Sequence, residues 1–329
     1  MSDVSAADLS PSEYSDISGD RGIGGERLPI VLFVVTCATT FLAGALMAGH
    51  FNLANGVAFS VTIMSILLAH ELGHFIVAKH HRVAVSLPYF IPLPPLISLG
   101  TMGAVIRMSE PIRNRNRLLD VAIGGPIAGM VVAVPLLLIG LSLSSVEPIS
   151  GGVTEGNSIL YALLKYAVHG RWLPADGVDV QLHPMAFAAW VGFLITMINL
   201  IPIGQLDGGH VAKAVFGDRH EAVSAWLHRG LLAIGLGVWG YAIADTYEYM
   251  EMSESIVHGF STGLPWLVWA TLLAVLRVMG GGEYHPKVDP APLSRARRWL
   301  VVFVAILFIL ILSPIPLREN LVPLLGEMR

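Results

Sequence analysis

Apolar residues run through this chain in long, nearly unbroken stretches, without the helical or alternating period that marks an element with one wet face. A helix that crosses a bilayer needs roughly 20 mostly apolar residues. By that measure residues 29–49, 56–79, 118–144, 185–203, 225–247 and 264–280 are expected spans, and 298–313 is a shorter unbroken candidate. The expected fold is an all-α polytopic membrane protein of about six to seven transmembrane helices. Residues 1–28, rich in Ser, Asp and Gly and without any period, read as a disordered cytoplasmic tail. No basic start leads directly into an apolar stretch, so the first hydrophobic segment is expected to be retained as a span.

One apolar segment breaks the pattern. Across residues 84–107, Pro88, Pro92, Pro94 and Pro95 remove amide donors and clash with helical geometry, so continuous helix is not expected. Non-helical backbone at membrane depth is tolerated only inside protein or beside a water-filled cavity. The reading is a re-entrant, partly β loop between the second and third spans, with a short strand in "LGTMGAVIRM"; a loop lying on the surface is the alternative. A possible interfacial helix, "SILYALLKYAV" at 158–168, lies in the 145–183 connection.

Composition agrees with the pattern. At 54% hydrophobic and 13% charged residues the chain has about half the charge of an ordinary soluble domain. The formal charge of −4 is spread along the chain and gives no reason to expect nucleic acid. The single cysteine, Cys37, excludes an intrachain disulfide and reads as a small buried residue. Basic residues orient the spans: "KHHR" at 79–82, "RNRNR" at 113–117, Lys213, Arg219, Arg229, Lys287 and "RARR" at 295–298 fall on one side if the spans alternate. The positive-inside bias makes that side cytoplasmic. The acidic loop 247–255 and the 145–183 connection fall on the other.

Against this background "LLAHELGHFIVAKHH", residues 67–81, is anomalous, because ionisable groups inside a span are costly and usually functional. Residues four apart share a helix face, so His70 and His74 can offer imidazole nitrogens to one metal ion. Glu71 is turned by roughly a quarter circle, within reach of a metal-bound water without being a ligand. Catalytic zinc normally takes three protein ligands, and the third must come from elsewhere. The strongest candidate is Asp207 in "NLIPIGQLDGGH", residues 199–210, where Gly208 and Gly209 let the backbone approach closely. Taken alone, Asp207 reads equally as the N-cap of a following helix, and His210 is an alternative ligand; His183 is expected on the far side of the membrane.

Three motifs together, "HELGH" at 70–74, "GTMGAVIRM" at 100–108 followed by "GGPIAG" at 124–129, and "NLIPIGQLDGGH" at 199–210, resemble the site-2 protease family of intramembrane zinc metalloproteases in order and separation. The resemblance covers about residues 50–215. It implies peptide-bond hydrolysis within the membrane of a transmembrane protein substrate, with one Zn2+ per chain, His70, His74 and Asp207 as ligands and Glu71 as general base. It further implies that Asn199 holds the substrate or polarises its carbonyl, and that the strand from Gly100 through Gly103 presents an edge to an unwound substrate. The expected organisation is then the 1–28 tail, a catalytic membrane core over 29–215 and accessory transmembrane helices over 216–329, in the cell membrane with the active site towards the cytoplasm. Gly124, Gly125 and Ala128 read as close helix packing, "MGGGEY" at 279–284 as a flexible loop and Arg277 as a snorkelling side chain. The 145–183 connection is too short for the PDZ domain that many bacterial members insert. A secondary transporter and a catalytically silent relative are the competing readings. The first should show internal repeats, which are not found, and the second should lack ligands or base, which are present.

Overall fold

A computed structural model of the chain describes residues 27–95, 98–149, 152–248, 250–279 and 281–320. The tail expected over residues 1–28 lies outside these, apart from Arg27 and Leu28, which begin the first helix. Each of the seven apolar segments falls largely within a helix: α1 Arg27–Leu46, α2 Leu53–His80, α3 Arg115–Ser142, α5 Pro184–Asn199, α7 His220–Thr246, α8 Met252–Met279 and α9 Arg295–Ile311. Between them lie α4 Ile159–His169 and α6 Asp207–Phe216. Among the described residues, five helical runs are long and apolar enough to cross a membrane: α1, α2, α3, the run Asp207–Thr246 and α8. At 16 and 17 residues, α5 and α9 fall short of the usual span. Helix surfaces carry exposed apolar side chains such as Val34, Ile76, Val131 and Val278, as expected where the surrounding solvent is lipid.

The chain divides into two units. The first comprises Met1–Ser145, Leu182–Asn199 and Val288–Val302. In it α2 packs on α1, α3 and α5. Small residues set that packing: a Cβ on Gly124 of α3 would stand 2.8 Å from the Gly73 carbonyl oxygen of α2, so the two backbones touch. The proline-rich segment is a hairpin of β1 Tyr89–Pro92 and β2 Thr101–Val105, antiparallel, with Tyr89 opposite Val105 and Pro92 opposite Thr101. Its register shifts between Phe90 and Pro92, and Phe90 is buried edge-on against Phe33 of α1. The strand expected in "LGTMGAVIRM" is therefore present.

The second unit comprises Val146–Gln181, Leu200–Lys287 and Phe303–Arg329. It includes α4, α6, the packed pair α7 and α8, and two small ladders. β3 Ser145–Pro148 pairs with β5 Val178–Gln181, and β4 Gly152–Glu155 pairs with β6 Leu317–Asn320. The helix expected at 158–168 is α4, capped by the Ser158 hydroxyl on the Tyr161 amide and closed by Gly170 at φ 70°. Its inner face carries a wholly buried Lys165, paired with Asp179 at 3.1 Å and lying over the Tyr161 ring, whose hydroxyl donates to Glu155.

Candidate metal centre

α2 is fixed at both ends, which sets the face its polar residues share. The Asn52 side chain accepts from the Asn55 amide at 3.1 Å, and Lys79 and His80 occupy the last turn, where cations suit the helix dipole. Between these ends His70, Glu71 and His74 are all buried. The two rings meet edge to face with their Nε2 atoms 3.1 Å apart. His74 Nδ1 lies 2.8 Å from the Val121 carbonyl of α3. A carbonyl only accepts, so Nδ1 carries the ring proton and Nε2 presents its lone pair to its neighbour. This outer contact is the kind that orients metal-ligating histidines.

The donor set fits zinc. Two nitrogens bound to one tetrahedral zinc at about 2.0–2.1 Å each sit roughly 3.3 Å apart, within a few tenths of the separation observed. Asn199, the last residue of α5, brings its amide nitrogen to 3.4 Å from His70 Nε2. Gly125 of α3 faces His74 so closely that a Cβ there would overlap Nε2 and stand 2.5 Å from Cδ2 and Cε1. Sequence reasoning assigned Gly125 to helix packing; the surface it packs against is the His74 ring.

Asp207 belongs to the second unit and opens α6. The N-cap position is Leu206, which gives no side-chain cap, and Asp207 is the first residue of the helix rather than its N-cap. Its carboxylate stands at a helix start, where the dipole favours negative charge. Gly208 and Gly209 are required by close approach, since a Cβ on either would overlap the carbonyls of the preceding turn at Leu200 or at Ile203 and Gly204. His210, the alternative ligand, has its Nδ1 engaged 2.7 Å from His285 Nε2. His183 is a local cap whose Nδ1 accepts from the Met185 amide.

Gly100 and Gly103 flank the start of β2 and bend it. Gly100 has φ 81° and packs on the α1 backbone at Thr39, whose hydroxyl donates to its carbonyl at 2.7 Å. Gly103 has φ 107°, with its amide on the Thr101 hydroxyl. Positive φ favours glycine at both positions. The structure thus brings His70, Glu71, His74 and Asn199 together in one unit and places Asp207 at the head of a helix in the other. Sequence reasoning missed the Val121 carbonyl and His285; the first carries no side-chain signal, and the second directly follows the segment 279–284 read as a flexible loop.

Residues 58–238, more than half of the chain, match Peptidase family M50. The chain belongs to this family. The match bears out the resemblance to the site-2 proteases and takes in all of His70, Glu71, His74, Asn199 and Asp207. Among curated proteins the chain is 32% identical over 182 residues to the probable zinc metalloprotease EGY1, chloroplastic, of Arabidopsis thaliana, covering 53% of this chain and 32% of that one. It is 33% identical over 185 residues to EGY2 of Oryza sativa subsp. indica, covering 55% and 33%. With EGY3 of Arabidopsis thaliana it shares 26% identity over 302 residues, 84% of this chain and 48% of that one. The chain spans about a third of the length of EGY1 and EGY2. No solved structure matches it.

Proposed function

We propose that this M50 chain is an intramembrane zinc metalloprotease that hydrolyses peptide bonds in or near the transmembrane segments of membrane proteins. The observation that carries the reading is the convergence of the His70 and His74 Nε2 atoms at 3.1 Å, beside a buried Glu71, on a helix apolar enough to span a membrane. His70, His74 and Asp207 hold one zinc per chain. Supporting that set, the His70 and His74 Nε2 atoms converge on one face of α2, Asp207 presents a carboxylate at the start of α6, and the relatives carry zinc metalloprotease names. When bound, zinc polarises the scissile carbonyl and lowers the pKa of a water.

The chain's own residues do the rest. The Glu71 carboxylate takes the proton from the attacking water and returns it to the leaving amine nitrogen, so the peptide bond breaks with no net proton change. The Asn199 amide N–H donates to the carbonyl oxygen as charge develops there. The β2 edge around Gly100 and Gly103 pairs with a substrate whose helix has unwound, because a helix leaves no backbone group open to attack. The β1–β2 hairpin is then a re-entrant element, α5 and α9 complete six to seven spans, residues 29–215 form the catalytic core after a cytoplasmic tail, and residues 216–329 are accessory. The clustered basic residues support a cell-membrane orientation with the site towards the cytoplasm.

The test uses purified protein in proteoliposomes with a single-span substrate, and zinc per chain from elemental analysis. Wild type is expected to bind one zinc and cleave. Glu71→Gln is expected to keep zinc and lose cleavage, and Asp207→Ala to bind zinc much more weakly and lose cleavage. Undiminished cleavage by Glu71→Gln overturns the mechanism, and full zinc in Asp207→Ala overturns the ligand set.

A further inference from the structure

The loop after α8 is held, not slack. Arg277 donates from Nε to the Gly282 carbonyl at 2.8 Å and lies over the Tyr284 ring at 4.4 Å. The Tyr284 amide donates to the Glu221 carboxylate at 3.0 Å. His228 Nε2 lies 2.8 Å from the Ala270 carbonyl, so it carries the proton, and Nδ1 is left to accept from the Tyr284 hydroxyl at 2.9 Å. Tyr284 and His285 are consequently buried, where a Gly-rich run suggested flexibility.

This mount fixes His285. Its Nδ1 lies 2.7 Å from the Pro286 carbonyl and therefore donates, leaving Nε2 as an acceptor. Burial lowers the His285 pKa below the ordinary histidine range, which keeps the ring neutral and able to accept. The donor to that Nε2 is His210 Nδ1, in the first turn of α6 and three residues after Asp207. On its other side the same turn is seated by Gly208 and Gly209 on the 200–204 backbone, and the Gly204 amide donates to Ser224 Oγ of α7. The first turn of α6 is thus clamped between a glycine-lined contact and one imidazole acceptor.

We propose that His285 is a positioning residue for the zinc ligand Asp207. By accepting the His210 proton it fixes the turn that aims the Asp207 carboxylate, from a loop outside the 58–238 family match. The inference rests on the reading of Asp207 as a ligand. Outer contacts of this kind are worth about 10- to 100-fold in metal affinity.

The experiment measures zinc release from the full chain in detergent, with excess chelator and a chromogenic indicator. It compares wild type, His285→Phe, His285→Gln and Asp207→Ala, each with a metal-free melting curve. Phe keeps a ring against His210 and His220 but has no acceptor; Gln keeps an acceptor near the Nε2 position. His285→Phe is expected to release zinc about 10- to 100-fold faster than wild type, and His285→Gln within about threefold of it, while the two metal-free forms melt together. Wild-type release from His285→Phe, with fast release from Asp207→Ala, overturns the positioning role alone. So does release in both His285 variants that rises in step with a lowered melting temperature, which makes the contact merely structural. Wild-type release from Asp207→Ala overturns the ligand assignment and the proposal with it.

Discussion

Adding one methyl group at Gly125 tests whether the His74 ring is a ligand held in place by the absence of a side chain opposite it. The methyl carbon would overlap Nε2 and stand 2.5 Å from Cδ2 and Cε1, whereas non-bonded carbons settle at about 3.5–4.0 Å. The ring must therefore retreat by at least roughly 1 Å, or the two helices must part. Parting is resisted where the Gly73 and Gly124 backbones touch, and retreat breaks the Nδ1 contact to Val121 at 2.8 Å. Metal–ligand distances hold to about 0.2 Å, so a 1 Å displacement removes His74 from the set. Gly125→Ala is expected to weaken zinc binding by about 100-fold or more, about 2.7 kcal/mol. The control is Gly129→Ala, whose methyl would lie 3.3 Å from His70 Cβ and Nδ1 and needs only tenths of an ångström. It is expected to stay within about threefold of wild type, since shifts this small cost little. Competition against a chelator of known affinity gives both values. Gly125→Ala binding zinc like wild type, or Gly129→Ala losing as much, would refute the reasoning.

Two further predictions concern the connection between α3 and α5. Lys165→Met strands the Asp179 carboxylate that Lys165 pairs from a fully buried position, and breaking such a pair costs about 3–5 kcal/mol. Thermal unfolding should show the loss, and Lys165→Met/Asp179→Asn should recover part of it. Burial raises the Glu155 carboxyl above its ordinary pKa; a group raised in the folded state contributes fully below its unfolded pKa and loses that contribution as pH rises through the folded value. Wild type should therefore fall behind Glu155→Gln in melting temperature as pH rises from about 4.5 towards neutrality. A gap that narrows over that range would contradict the sign, since Gln keeps an acceptor for the Tyr161 hydroxyl.

What the sequence disclosed and what it withheld divide along physical lines. The apolar stretches disclosed the helices, because a segment surrounded by lipid has no wet face to interrupt it, and "HELGH" disclosed the histidine pair, because i, i+4 spacing is a property of one helix. The prolines at 88, 92, 94 and 95 disclosed where helix would fail, and β1 and β2 stand there. The length of α5 was overstated, since apolar residues continue past the point where the helix ends: Pro202 and Gly204 follow Asn199 closely, yet residues 200 and 201 are Leu and Ile. Lys165 was unreadable as a buried residue, because its partner Asp179 lies on a separate strand. His285 was hidden by three glycines before it, which signal local freedom and say nothing of the tertiary contacts that remove it.

The same separation explains why Gly125 was assigned only half its role. Small residues in a membrane helix are read as packing because they let backbones approach, and Gly73 against Gly124 is that case. Yet close approach of α2 and α3 also brings the Val121 carbonyl within hydrogen-bonding distance of His74 Nδ1 and leaves the Gly125 surface against the ring's other edge. A wider spacing would release the proton that fixes the tautomer and let the ring turn. Helix packing and ligand geometry are therefore one constraint at this site. A substitution that loosens the α2–α3 contact well away from the histidines should appear first as weakened zinc, before it appears as lost fold.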